Sequence, residues 1–186
     1  VWFNDTSNSL KFEYQSTTNA WSTGGALNTA RRTMAGAGLQ TAALTFGGQA
    51  SPGATNATEA YNGSSWTAVN PLTTARNNLA GDGTQTSALA FGGKTAPTRS
   101  KLTELWNGTN WTETTDLTTE RESLGGFGSS NTNALAFGGE VPGSTANTEK
   151  WNGTNWTEVN NLNAVGTGMA GAGTNTAGLA FGGDRG

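Results

Sequence analysis

The chain has 186 residues, 28 of them glycine, with 12% charged residues and a net charge of −3. It contains neither cysteine nor histidine, which excludes disulfides, thiolate chemistry, the commonest general base and the usual zinc ligands. No basic patch is present to hold a phosphate backbone, so nucleic acid is not an expected partner.

Residues 1–14, Val-Trp-Phe-Asn-Asp-Thr-Ser-Asn-Ser-Leu-Lys-Phe-Glu-Tyr, read as a β-hairpin with a polar turn, outside any repeat. No signal peptide is visible, and a chain that opens on Val1 is expected to have sequence upstream. No apolar run approaches the roughly 20 residues that cross a bilayer, so membrane insertion is not expected.

From about residue 10 a repeat takes over. Trp21, Trp66, Trp111 and Trp156 are each 45 residues apart, and Phe-Gly-Gly triplets begin at Phe46, Phe91, Phe137 and Phe181. Arg31, Arg76 and Arg121 keep the interval, and Gly166 breaks it. Glu59, Glu104 and Glu149 keep it too, as do Asn62, Asn107 and Asn152. Interleaved ladders of one period are the signature of a repeat architecture. The boundary expected from this is an arm over 1–9 and a repeat domain over 10–186.

Each unit predicts four short strands separated by turn residues. In the second unit these are Leu79–Gly83, Ser87–Gly93, Leu102–Trp106 and Asn110–Thr114. Asn107-Gly108 predicts a tight turn with positive φ at both positions. The strand Ala-Leu-Ala-Phe is apolar on both faces, as in a sheet sandwiched between others. The first strand is rich in glycine and alanine, which suits a crowded axis. At the C-terminus only the first two strands of a unit are present, while residues 10–23 look like the last two (Leu-Lys-Phe-Glu-Tyr, then Asn-Ala-Trp-Ser-Thr). Joined, they would complete a fourth unit and remove both open sheet edges.

Four-stranded units of this length suggest propeller blades. A small apolar strand ending in Gly-Gly, an aromatic (Tyr61, Trp106, Trp151), a tryptophan five residues later and a Thr-x-Arg approach to the next unit resemble the kelch motif. Gly-His and Trp-Asp pairs are missing. The resemblance implies an all-β fold, a β-propeller with four kelch-like four-stranded blades and a closing blade shared by both termini. The alternative is a fragment of a larger kelch propeller. The hairpin Val-Trp-Phe-Asn…Leu-Lys-Phe, and the phrase Ala-Gly-Ala-Gly…Leu-Ala-Phe-Gly-Gly followed by Asn-Gly-x-x-Trp-Thr, resemble segments of bacteriophage tail-fibre and other virion surface proteins. That resemblance implies a non-catalytic structural or adhesion module. It would assemble with other virion proteins, be made in the cytoplasm, be displayed on the particle and bind a host-surface glycan or protein. An intracellular kelch-type interaction scaffold is the alternative.

Candidate sites are weighed against packing. A tryptophan required in every unit reads as inter-blade packing, although an aromatic ladder can also stack sugars. The arginine and glutamate ladders read as ion pairs or bonds to carbonyls that tie blades together. Ala37, Asp82, Phe127 and Ala172 share one first-strand position and are expected to line a channel, with Phe127 as a plug. The loops after the second strands vary, which makes Gln49, Ser51, Lys94, Thr98, Arg99, Glu140 and Ser144 the candidate ligand contacts. Gly166-Thr-Gly168-Met-Ala-Gly171 matches a nucleotide-binding pattern, but its glycines belong to the repeat and no helix is expected after it. The Asn-x-Ser/Thr sites follow from turn chemistry. No catalytic residue, cofactor or metal is expected: a kelch-type copper oxidase centre needs histidine and cysteine, and repeated carboxylates in different blades lack a glycosidase's short separation.

Overall fold

The computed structural model describes residues 2–4, 9–11 and 24–184, and among them every regular element is a β-strand. The hairpin of β1 (Trp2–Asn4) and β2 (Ser9–Lys11) sets Phe3 opposite Leu10 and Trp2 opposite Lys11. Residues 12–23, expected to supply the outer strands of the closing unit and carrying Trp21, lie outside the described residues.

Three antiparallel four-stranded sheets follow in meander order. The first contains β3 (Ala35–Leu39), β4 (Ala42–Phe46), β5 (Thr58–Tyr61) and β6 (Trp66–Val69). The second contains β7 (Ala80–Thr84), β8 (Ser87–Phe91), β11 (Thr103–Trp106) and β12 (Trp111–Glu113), with a small hairpin of β9 (Lys94–Thr95) and β10 (Thr98–Arg99) in its loop. The third is formed by β13 (Gly125–Ser130), β14 (Asn133–Phe137), β15 (Thr148–Trp151) and β16 (Trp156–Val159). A fourth, two-stranded sheet pairs β17 (Ala170–Thr174) with β18 (Ala177–Phe181). The strands expected in the second unit are therefore present to within one or two residues.

The Asn-Gly turns differ from expectation. Gly63, Gly108 and Gly153 have φ near 93–95°, but the asparagines before them are not left-handed. Instead the Asn107 side-chain oxygen accepts the N–H groups of Thr109 and Asn110, both at 2.9 Å. The loop is therefore the four residues between paired Trp106 and Trp111, closed by an Asx contact that lets only the glycine carry the unusual φ.

The sheets stack through their first strands, β3 beside β7, β7 beside β13, and β13 beside β17. A methyl group at Gly81 would overlap the ring of Phe46, and one at Gly126 would overlap Phe91. At Gly171 it would meet both Phe127 and Phe137. The ring of each second-strand phenylalanine thus occupies the space a side chain would need on the next sheet, and that repeat position has to be glycine. Two apolar cores result: one joins Leu44, Phe46 and Leu72 to Ala88, Ala90 and Trp111. The other joins Leu89, Phe91 and Leu117 to Ala134, Ala136 and Trp156.

Backbone hydrogen bonds run between the same sheets. Asn78 N–H donates to the Thr33 carbonyl, Ser123 N–H to Asn78 and Gly168 N–H to Ser123, at 2.7–3.0 Å. Thr33, Asn78 and Ser123 have φ of 51–53° and Gly168 has 62°. Three non-glycine residues held in that sparsely populated region show that the inter-sheet bond outweighs their local strain. Gly81→Ala is expected to cost about 1–3 kcal/mol by overpacking. Gly53→Ala, where a methyl meets nothing within 4 Å, should stay within about 0.5 kcal/mol of the parent. Paired chemical denaturation curves test the contrast.

Candidate functional site

Each ladder arginine lies in the segment just before a sheet and pairs with the ladder glutamate on that sheet's third strand. Arg76 Nη2 lies 2.9 Å from Glu104 Oε1, Arg121 Nη2 lies 2.7 Å from Glu149 Oε1, and Arg31 Nη1 lies 2.7 Å from Glu59 Oε1. All six side chains are at most 1% exposed. Arg76 Nη1 also donates to the carbonyls of Gly92 and Leu102, at 3.0 and 2.6 Å. Arg121 Nη1 does the same to Gly138 and Asn147, at 3.0 and 2.7 Å. Each carboxylate's second oxygen accepts a linker N–H, from Asn28, Thr73 or Thr118, at 2.7 Å.

Burial works against both partners' charges. It pushes the Arg76 and Arg121 guanidiniums down from their ordinary range, against the opposing pull of Glu104 and Glu149. Burial alone would raise the Glu59 carboxyl, but the Asn28 and Thr29 N–H groups, the Asn28 amide and Arg31 outweigh it and hold the group low. The linker is stitched backwards as well. Gly48 N–H donates to the Arg76 carbonyl and Gly93 N–H to that of Arg121, both at 2.9 Å. Gly139 N–H donates to the Gly166 carbonyl at 2.8 Å. Gly166 has lost the side chain of the ladder and kept its backbone bond.

The tryptophans serve the same joints. Trp111 meets Phe46 edge-on at 4.8 Å between centroids, and Trp156 meets Phe91 at 5.0 Å. Their indole N–H groups donate to Thr58 and Thr103 Oγ1, at 3.1 and 3.0 Å, on the preceding sheet. Trp106 and Trp151 are buried and donate to the Gln85 and Asn131 carbonyls. These four offer no open face to a sugar. Trp66, partly exposed beside Tyr61, stands apart from them.

The position expected to line a channel is divided. Phe127 lies over Gly171 and Gly178 of the fourth sheet and 5.3 Å from Phe137, so it fills an inter-sheet gap and does not plug an axis. Asp82 reaches across to Gly128 of the third sheet. Ala37 packs at the margin of the first core, and Ala172 is exposed.

The variable loops form a charged edge. Arg99 pairs with Glu140 of the next loop and lies 3.5 Å from Glu122, which Lys94 also approaches at 3.4 Å. Thr98 is exposed and donates to the Thr95 carbonyl, and Ser144 bridges to Glu140. Gln49 and Ser51 line a cavity of about 450 Å3 together with Arg31 and Arg32. Glu122, 5% exposed and also accepting from Asn78, is the loop-anchoring residue that the sequence reading passed over. Its place one residue after Arg121 was its only signal.

Among the described residues no group of three or more acidic side chains could hold a metal, and no helix is long and apolar enough to cross a membrane. No protein-family profile matches this chain, and no curated protein is detectably similar to it.

Arg121→Met leaves Glu149 buried and unpaired, and is expected to cost about 3–5 kcal/mol, with much of that recovered in Arg121→Met/Glu149→Leu. Equilibrium urea unfolding of the three proteins measures it. Burial raises the Asp82 carboxyl above its ordinary value, partly offset by the N–H groups of Gly83 and Gly128. A carboxyl raised in the folded state weakens the fold when ionised. That penalty is complete above the raised value and vanishes as pH falls to about 4. Asp82→Asn should therefore melt higher than the parent at pH 7, with the gain shrinking towards pH 4 in a pH series of thermal melts.

Proposed function

We propose that this chain is a non-catalytic β-propeller of kelch-like blades, displayed on a bacteriophage particle as a structural or host-attachment module. In this reading four blades close into a ring, and the outer strands of the last blade come from the N-terminal residues 10–23. A cavity of about 170 Å3 between the third and fourth sheets supports that closure. Phe137, Thr148, Leu135, Leu162, Gly178 and Ala180 line it, and these are the repeat counterparts of the residues around Trp111 and Trp156.

One observation carries the functional reading. The recurring side chains are consumed in joints between sheets, so the chemistry left for recognition is on the variable loops. There Lys94, Arg99, Glu122 and Glu140 hold neighbouring loops together as one polar edge. A scaffold that spends its repeated residues on packing and varies its loops is organised for binding, not turnover. The hairpin and blade phrases that resemble virion surface proteins support a place on a particle, with other virion proteins and a host-surface glycan or protein as partners.

Immunogold labelling of phage particles and a panel of bacterial surface polysaccharides and envelope proteins test the proposal. Antibodies to the protein are expected to label the particle exterior, and the purified protein to retain at least one surface component without releasing product. Retention should fall when the loop from Lys94 to Lys101 is replaced by a short glycine–serine turn. Unlabelled particles, or product release from any polysaccharide, would overturn it.

A further inference from the structure

Among the described residues three inter-sheet joints are formed, and both halves of a fourth lie exposed at the two ends of the stack. On one end Phe181 is 49% exposed and Leu179 64% exposed, whereas their counterparts Phe46, Phe91, Leu44 and Leu89 are at most 1% exposed. On the other end a cavity of about 340 Å3 is lined by Leu27, Met34, Gly36, Ala43, Thr45 and Trp66. Moved on by one repeat, these residues become Leu72, Leu79, Gly81, Ala88, Ala90 and Trp111. That second set is the seat of Phe46: the ring lies over Gly81, meets Trp111 edge-on and shares one core with the rest.

We infer that the cavity around Gly36 and Trp66 is a phenylalanine socket, and that its occupant is Phe181 of the same chain. The joint runs one way at every step, the phenylalanine of one sheet entering the next. The last phenylalanine therefore faces the position that the first sheet takes in a ring. The backbone offers matching partners. Among the described residues, Thr33 N–H and the Gly168 carbonyl have no backbone partner at the two ends of the Thr33–Asn78–Ser123–Gly168 relay. Gly183 N–H and the Arg31 carbonyl stand at the repeat positions of the bonds made by Gly48 to Arg76, by Gly93 to Arg121 and by Gly139 to Gly166. An intramolecular partner is favoured because both halves are held on one chain at high effective concentration. This inference rests on the closed-ring reading and is independent of any ligand: a negative binding screen would leave it untouched.

The open geometry and the seated one make opposite predictions for Gly36→Ala. With the face open, a methyl group there meets only the Leu44 carbonyl, at 3.4 Å, and should be tolerated. With Phe181 seated it overlaps the ring, as it would at Gly81. Gly36→Ala is expected to lower the melting temperature of the parent by several degrees and to have almost no effect in a Phe181→Ala background. Both proteins should sediment as monomers. Hydrogen exchange of the unmodified chain provides a second readout, with Thr33 N–H expected to be protected to the same degree as Asn78 N–H. Tolerance of Gly36→Ala in the parent, a Thr33 amide that exchanges as an open one, or coupling found only in a dimer or larger assembly would each overturn the proposal.

Discussion

The structure depends on a phenylalanine ring lying on a glycine of the next sheet. Sheets normally pack about 10 Å apart, with interdigitating side chains on both faces. Here the first strand of each unit gives up its side chain where the neighbour's ring arrives, at Gly81, Gly126 and Gly171. The approach this allows brings backbones close enough for Asn78, Ser123 and Gly168 to bond directly to the preceding unit. One residue choice thus sets both the apolar contact and the polar one.

The buried ion pairs solve a problem created by the same closeness. A linker passing between two stacked sheets has carbonyls and N–H groups that water cannot reach. From the linker, Arg76 and Arg121 each donate to two carbonyls in the loop between the second and third strands of the sheet they enter, and Glu59, Glu104 and Glu149 accept the linker N–H groups. A buried pair of this kind is weak evidence for net stability. Its geometric content is large, because it fixes the linker to the sheet it enters while the Arg76 and Arg121 carbonyls fix it to the sheet it leaves. Gly166 shows which half is indispensable at the fourth position, since only the backbone bond is retained there.

Most of the strand pattern was legible because the period of the repeat is written in large side chains. The 45-residue ladders of tryptophan, phenylalanine and arginine locate the sheets, and the glutamates locate the partners of the arginines. Less legible were features without a side-chain signature. Thr33, Asn78, Ser123 and Gly168 share a left-handed backbone and no chemistry, so nothing in their identities announces an inter-sheet relay. Phe127 was misread because a first-strand position can face an axis or a neighbouring sheet, and spacing along one strand does not distinguish them. The Asn-Gly turn was misjudged because the Asn107 side chain competes for the turn's N–H groups, which lengthens the loop.

The same division explains where recognition can reside. A residue that must satisfy a joint in every unit cannot also vary to fit a ligand, since each substitution there opens a cavity or strands a charge. Loop residues such as Thr98 and Ser51, exposed beside a rigid stack, carry no such obligation. Their neighbours Arg99, Lys94, Glu122 and Glu140 tie adjacent loops into one edge with mixed charge, which limits the ordering entropy a binding event must overcome. Surface ion pairs add little to stability. In the proposed binding role, preorganising that edge is the contribution these four charges would make, and it would depend on the glycine–phenylalanine joints holding the second and third sheets in register beneath them.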